Sequence, residues 1–278
     1  MHHSAARDYL EIIRPNHARG PFRCVVFDFD GTLSLLRADW QGLMIPLMVE
    51  VLETTGTQES AGELTALVTD LVTRTTGRPT ILQMQDLAAE VMRRGQSPRD
   101  PLEYLAVYHE LLMAQTNGRI EAVQAGIARA DDMLVPGSQP LIQELVSRER
   151  LLVISSGTEL DHVRHETVVL GLGSVFGERI HGPINNDPNF SKLGVLQMLM
   201  AELGLRGEEI VCVGDGAAEM QAARAVGALA LGVASDEVQR SGRVNSLKRE
   251  HLLRAGADAV IPDYQNLAPI LRLLNLEP

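Results

Sequence analysis

The chain has 278 residues, 45% of them hydrophobic and 22% charged, with a formal net charge of −11. That length suffices for one large domain or two modest ones with real cores, and the acidity, without any basic stripe, argues against a nucleic-acid partner. No apolar run approaches the ~20 residues that span a bilayer, and the opening stretch, MHHSAARDYLEIIRP, lacks the apolar segment of a secretion signal, so no membrane partner and a cytoplasmic location are expected.

In chain order, residues 1–20 read as an accessory helix plus a short linker. A four-residue apolar run, CVVF at 24–27, reads as a buried strand and leads directly into "DFDGT". From 36 to 133 no clear strand is visible. Segments near 41–54, 60–74, 80–94, 101–115 and 119–132 have helical spacing, and in the third Ile81, Met84, Leu87, Ala88, Val91 and Met92 share one face between the breakers "GRP" and "SPRDP". A structureless loop of that length is improbable, so the stretch is expected to be an all-helical insertion.

After it, strand-like and helix-like segments alternate. The apolar runs LLVIS (151–155), IVCV (210–213), LALGV (229–233) and AVI (259–261) are separated by helical patterns at 139–147, 159–170, 192–203, 217–226 and 265–274. The alternation predicts an α/β fold with a doubly wound parallel sheet. Three parts follow: an extension at 1–20, a core made of 21–35 and 134–278, and a helical unit at 36–133. Cys24 and Cys212 lie inside strand-like runs, which reads as buried reduced thiols.

In open α/β sheets, ligands bind beyond the carboxyl ends of the strands. Asp28 and Asp30 follow the first strand at that edge, and "VGDGAAE" puts Asp215 after a later strand with Glu219 one helical turn on. Carboxylates about 4 Å apart repel by roughly 4 kcal/mol per pair at an effective dielectric near 20, so something positive belongs between them. A few hard oxygens suit Mg²⁺ better than zinc, and no His/Cys spacing competes. Taken alone, a single Asp-x-Asp could merely cap a turn.

"DFDGT" after an apolar strand resembles the nucleophile motif of the haloacid dehalogenase superfamily, most of whose members are phosphatases. Three further segments resemble that family's motifs in the expected order: "ISSGT", "NFSKLGVLQML" and "VGDGAAE". The chain is most similar in kind to the phosphoglycolate phosphatase-like and beta-phosphoglucomutase-like branches, with a helical cap inserted after the first strand. The resemblance implies a Rossmann-like core and Asp28 as the nucleophile that becomes an aspartyl phosphate. It implies Asp30 as general acid and base, with Asp28, the Asp30 carbonyl and Asp215 on Mg²⁺ and Glu219 as a further or occasional ligand. Gly31 would permit the sharp turn and Thr32 would orient the acid loop. Ser156 and the Gly157 amide would donate to the phosphate, with Ser155 the alternative by one position, and Lys192 would neutralise nucleophile and phosphate together.

Leaving the catalytic loop, Arg37 and Trp40 stand either at the substrate entrance or in hinge packing. Arg78, in the Gly-Arg-Pro turn, is either a contact for a second anionic or hydroxylated group or part of a plain helix connection. His109, His162, His165 and His181 lack partner spacing and read as structural or exposed. A lid over the carboxylates favours a small phosphorylated metabolite, handled by a monomer or homodimer. Ser34 stands where family members often carry an acid. The expected function is Mg²⁺-dependent phosphatase; the alternatives are a phosphomutase or a silent phospho-ligand-binding regulator.

Overall fold

A computed structural model of the protein describes residues 9–15 and 20–276. Seven strands form one sheet: β1 (Glu11–Ile12), β2 (Cys24–Phe27), β3 (Leu151–Ser155), β4 (Ile180–His181), β5 (Ile210–Gly214), β6 (Leu229–Val233) and β7 (Ala259–Ile261). Their spatial order is β1-β7-β6-β5-β2-β3-β4, and every pairing is parallel except that of β1 with β7. The two-residue edge strands β1 and β4 are too short to leave a sequence pattern. The accessory helix expected at 1–20 is corrected where the chain is described: Glu11 and Ile12 pair with Val260 and Ala259, while 1–8 and 16–19 lie outside the described residues.

β2 lies inside the sheet between β5 and β3, and its side chains alternate between two cores as a period of two demands. Val25 and Phe27 enter one apolar cluster and Cys24 and Val26 the other, so all four residues are buried, the mark of a strand covered on both faces. Both cysteines are free, and burial pushes the Cys24 thiol up to about 12.

Four helices form the insertion: α1 (Trp40–Glu53), α2 (Ala61–Thr75), α3 (Thr80–Arg93) and α4 (Pro101–Gln124). They share a separate core containing Met44, Met48, Leu64, Val68, Met84 and Leu105. Ser60 and Glu63 form a capping box at the start of α2, and Asp100 caps α4 ahead of Pro101. Where five helices are expected, 101–115 and 119–132 differ: one 24-residue helix runs through Gly118 to Gln124. Burial of Leu112, Thr116 and Ile120 on its inner face offsets the roughly 1 kcal/mol that a mid-helix glycine costs.

The remaining helices are α5 (Ser138–Ser147), α6 (Leu160–Val169), the single turn α7 (Gly173–Phe176), α8 (Lys192–Leu203), α9 (Ala217–Val226), α10 (Ser246–Ala255) and α11 (Leu267–Leu273). Among the described residues, no helix is long and apolar enough to cross a membrane.

Candidate active site

The parallel register of β2 with β3 and β5 brings the sequence-distant motifs to one edge. Phe27 lies beside Ile154 and Val213, and the Asp28 amide donates to the Val213 carbonyl at 2.8 Å. The first residue past the end of each strand, Asp28, Ser156 and Asp215, lines one cleft at the carboxyl edge.

The loop after β2 is tightly held. Gly31 has φ +73°, and a Cβ there would collide with the carboxylates of Asp215 and Glu237, so only glycine fits. The Gly31 amide donates to the Ser34 carbonyl at 2.9 Å, Ser235 Oγ donates to the Gly31 carbonyl at 3.0 Å, and Tyr264 Oη donates to the Thr32 carbonyl at 3.0 Å. Thr32 is fully buried, with its hydroxyl 3.4 Å from Asp28 Oδ2.

Lys192, the first residue of α8, turns its ammonium inward and hydrogen-bonds both Asp28 Oδ1 and Glu219 Oε1. Burial pushes the Asp28 carboxyl upward, Lys192 pulls against it, and Asp215 adds to the rise. Glu219 stands behind that pair: one oxygen is on Lys192 and the other accepts from the Gly216 amide at 3.1 Å. Its helix-terminal position in α9 makes it the brace of Lys192.

Asp30 points into the same cleft. Thr158 Oγ1 donates to its Oδ2 at 2.7 Å, while its Oδ1 is buried without a hydrogen-bond partner among the described residues. Burial pushes its carboxyl up to about 7, with Arg37 opposing and Glu166 and Asp28 reinforcing the rise. Arg37 lines the cleft and is packed into its wall. It is 5% exposed, donates to Glu166 at 2.6 Å and 3.0 Å, and lies 3.8 Å from Asp30 Oδ1. Burial works against the Arg37 charge, but Glu166 and Asp30 more than offset it.

A second buried set lies on the other side of Asp215. Lys248, from α10, donates to Asp215 Oδ2 at 2.6 Å and to Ser235 Oγ at 3.3 Å, and also hydrogen-bonds Glu237. Neither Lys248 nor Glu237 belongs to a local sequence pattern, although Lys248 shares a helix face with the buried Leu252 four residues on.

The cap closes the cleft. Its Thr76–Pro79 turn lies over the loops after β3 and β5, so near that a Cβ on Gly157 would meet the Arg78 carbonyl at 2.6 Å. Trp40, Met44, Arg78, Tyr108 and Leu112 line the cap side, and the cleft encloses about 820 Å³ of space including its open mouth. Arg78 is exposed and its guanidinium has no ion-pair partner among the described residues. His109 and His162, read as structural or exposed, face one another across this boundary with ring centroids 6.3 Å apart. Ser156 and Gly157 line the cleft, whereas the Ser155 hydroxyl is buried outside it.

Six carboxylates, Asp28, Asp30, Glu166, Asp215, Glu219 and Glu237, thus face three cations, Arg37, Lys192 and Lys248. The deficit of positive charge is the condition that a bound cation relieves. Among the described residues no three His, Cys, Asp or Glu side chains form a metal cage by themselves. An ion here could be held by the Asp28 and Asp215 carboxylates with main-chain and water oxygens, a sparse hard-oxygen set that fits Mg²⁺.

The family described as haloacid dehalogenase-like hydrolase matches residues 22–227. The chain belongs to that family. Among curated proteins none matches it. Among solved structures, a predicted phosphoglycolate phosphatase from Haemophilus somnus 129pt is 18% identical with a TM-score of 0.57, covering 90% of this chain and 98% of its own. A HAD family hydrolase from Deinococcus radiodurans R1, with bound phosphate and sodium, is 20% identical with a TM-score of 0.54 over 92% of this chain and 97% of its own. A phosphonoacetaldehyde hydrolase like protein from Oleispira antarctica is 14% identical with a TM-score of 0.58 over 94% and 96%. At these identities the likeness is one of fold, and it extends over both the core and the helical cap of this haloacid dehalogenase-like hydrolase.

Proposed function

We propose that this hydrolase is a Mg²⁺-dependent phosphatase acting on a small phosphorylated metabolite, a sugar phosphate or a phosphoglycolate-like acid, through an aspartyl phosphate on Asp28. The observation that carries the reading is the meeting of Asp28, Asp30 and Asp215 at one cleft with the Lys192 ammonium on the Asp28 carboxylate.

In the first step an Asp28 oxygen attacks phosphorus while the bond to the leaving oxygen breaks. Asp30, held by Thr158 and buried beside the cap, carries the proton that the leaving oxygen takes up. In the second step Asp30 accepts a proton from water as that water attacks the phosphoryl group, and inorganic phosphate and free Asp28 are restored.

The Ser156 hydroxyl and the Gly157 amide donate to phosphoryl oxygens, and Lys192 balances the charge of Asp28 and the phosphate, with Glu219 holding it in position. Asp28, Asp215 and the Asp30 carbonyl would hold Mg²⁺, which would add positive charge at the phosphoryl oxygens. The demand is large, since phosphate-monoester hydrolysis is accelerated by up to ~10²¹-fold in enzymes, more than one side chain can supply.

The cleft is roofed by the cap's Thr76–Pro79 turn and lined from both sides, which supports a metabolite over a protein substrate. Trp40 and Arg78 would meet its leaving group from the cap side. Phosphate release from a panel of phosphate monoesters, including phosphoglycolate and hexose monophosphates, measured with Mg²⁺ and then with EDTA, tests the reading. Release that EDTA abolishes is expected. No release from any ester would overturn it, and bisphosphorylated sugars isomerised without net release would point to phosphoryl return instead.

A further inference from the structure

Lys248 has no part in the chemistry just described, yet its ammonium touches Asp215, one of the two carboxylates offered to the metal. It donates to Oδ2 of Asp215 at 2.6 Å and, with Glu237 and the Ser235 hydroxyl on its other sides, is fixed by three partners. Its side chain is 21% exposed and those of Asp215 and Glu237 are 6% and 10% exposed, so water screens these charges little. Glu237 in turn abuts Gly31, whose carbonyl accepts from Ser235. The pair is therefore built into the catalytic loop's support and does not dangle from the surface.

We propose that Lys248, braced by Glu237, is a tethered counter-ion that limits how tightly, and which, divalent cation Asp215 takes. By occupying Oδ2 it leaves Oδ1 as the one open oxygen of Asp215, which favours the small, hydrated Mg²⁺. Ca²⁺ takes six to eight oxygens and often uses a carboxylate through both. The fixed positive charge beside the site also repels a dication, so affinity stays low enough for the ion to exchange. This rests on the divalent-cation reading above and adds to it the residue that sets affinity and selectivity. A purely structural ion pair anchoring α10 would change folding stability without altering the preference between cations.

The test uses the full-length protein without substrate: calorimetric titration with MgCl₂ and with CaCl₂, together with the melting temperature at increasing concentrations of each. Lys248→Met removes the charge, Lys248→Gln removes the charge but can still donate to Asp215, and Lys248→Arg keeps it. Lys248→Met and Lys248→Gln should bind Mg²⁺ at least about tenfold more tightly than wild type, the scale of a like-charge contact at short range. Their gain for Ca²⁺ should be larger still, and Lys248→Arg should stay within about threefold of wild type. The metal-free Lys248→Met protein should melt earlier than wild type yet gain more degrees from Mg²⁺.

Charge-removed variants that fold and bind Mg²⁺ no more tightly than wild type would overturn the proposal, as would a Lys248→Arg protein that binds as tightly as they do. Lys248→Gln carries the same decision if Lys248→Met does not fold. Wild-type protein that binds neither ion would instead overturn the divalent-cation reading itself, and this inference with it.

Discussion

Core and cap face the same cleft with different physics. On the core side the cleft is lined by charged groups tied to partners behind them: Asp28 to Lys192 and Glu219, Arg37 to Glu166, Asp215 to Lys248 and Glu237. On the cap side the four-helix unit is held by apolar packing, and what it offers the cleft is mainly Trp40, Met44, Tyr108, Leu112 and the exposed Arg78. Each buried charge is tied to others from distant segments, so a change at one strands its partners. The cap's cleft-facing positions carry few such ties, so a change there strands no buried charge.

Five substitutions would break or sharpen that contrast. The largest effect belongs to Asp28→Asn, which keeps the shape and removes the proposed nucleophile: turnover should fall by at least about 10⁴-fold, with the circular dichroism spectrum unchanged. Next is Glu166→Gln. It leaves the buried Arg37 guanidinium with only the more distant Asp30 carboxylate opposite, and denaturant unfolding should show a loss of roughly 3 kcal/mol. The cap's exposed Arg74–Asp70 pair provides the control, because Arg74→Ala should cost no more than about 1 kcal/mol.

Smaller effects belong to the cap. Arg78→Ala should raise KM by about tenfold while leaving kcat within a few-fold, if the side chain meets the leaving group as proposed and not the phosphoryl centre. Equal falls in kcat and kcat/KM would instead assign Arg78 to the transition state. Gly118→Ala should stabilise the protein by about 0.5–1 kcal/mol in the same unfolding experiment, since the residue is helical and open space surrounds the added methyl.

The sheet's inner strands were legible because each is a short apolar run followed by polar residues that have nowhere to go but the carboxyl edge. "DFDGT", "ISSGT" and "VGDGAAE" carry their geometry locally, in a turn directly after a strand. What was not legible depends on partners far apart in the chain. Glu166 pairs with Arg37 across 129 positions and Lys248 reaches Asp215 across 33, and neither pair leaves a spacing to read. A weaker signal existed for Glu166, which shares the buried face of α6 with Val163 and Thr167, where an acid must have a cation opposite. The single helix through Gly118 was hidden by an Asn-Gly pair that reads as a turn, until packing of α4 against α3 and α1 decided otherwise.

The most direct measurement is to identify which residue carries the phosphoryl group. Turning-over enzyme quenched with borohydride, which reduces an acyl phosphate to an alcohol, and then digested for peptide mass spectrometry should show the reduced side chain at position 28 and nowhere else. Phosphate release that continues while Asp28 remains unmodified, or reduction at another carboxylate, would contradict Asp28 as the nucleophile at the meeting point of the three strand ends.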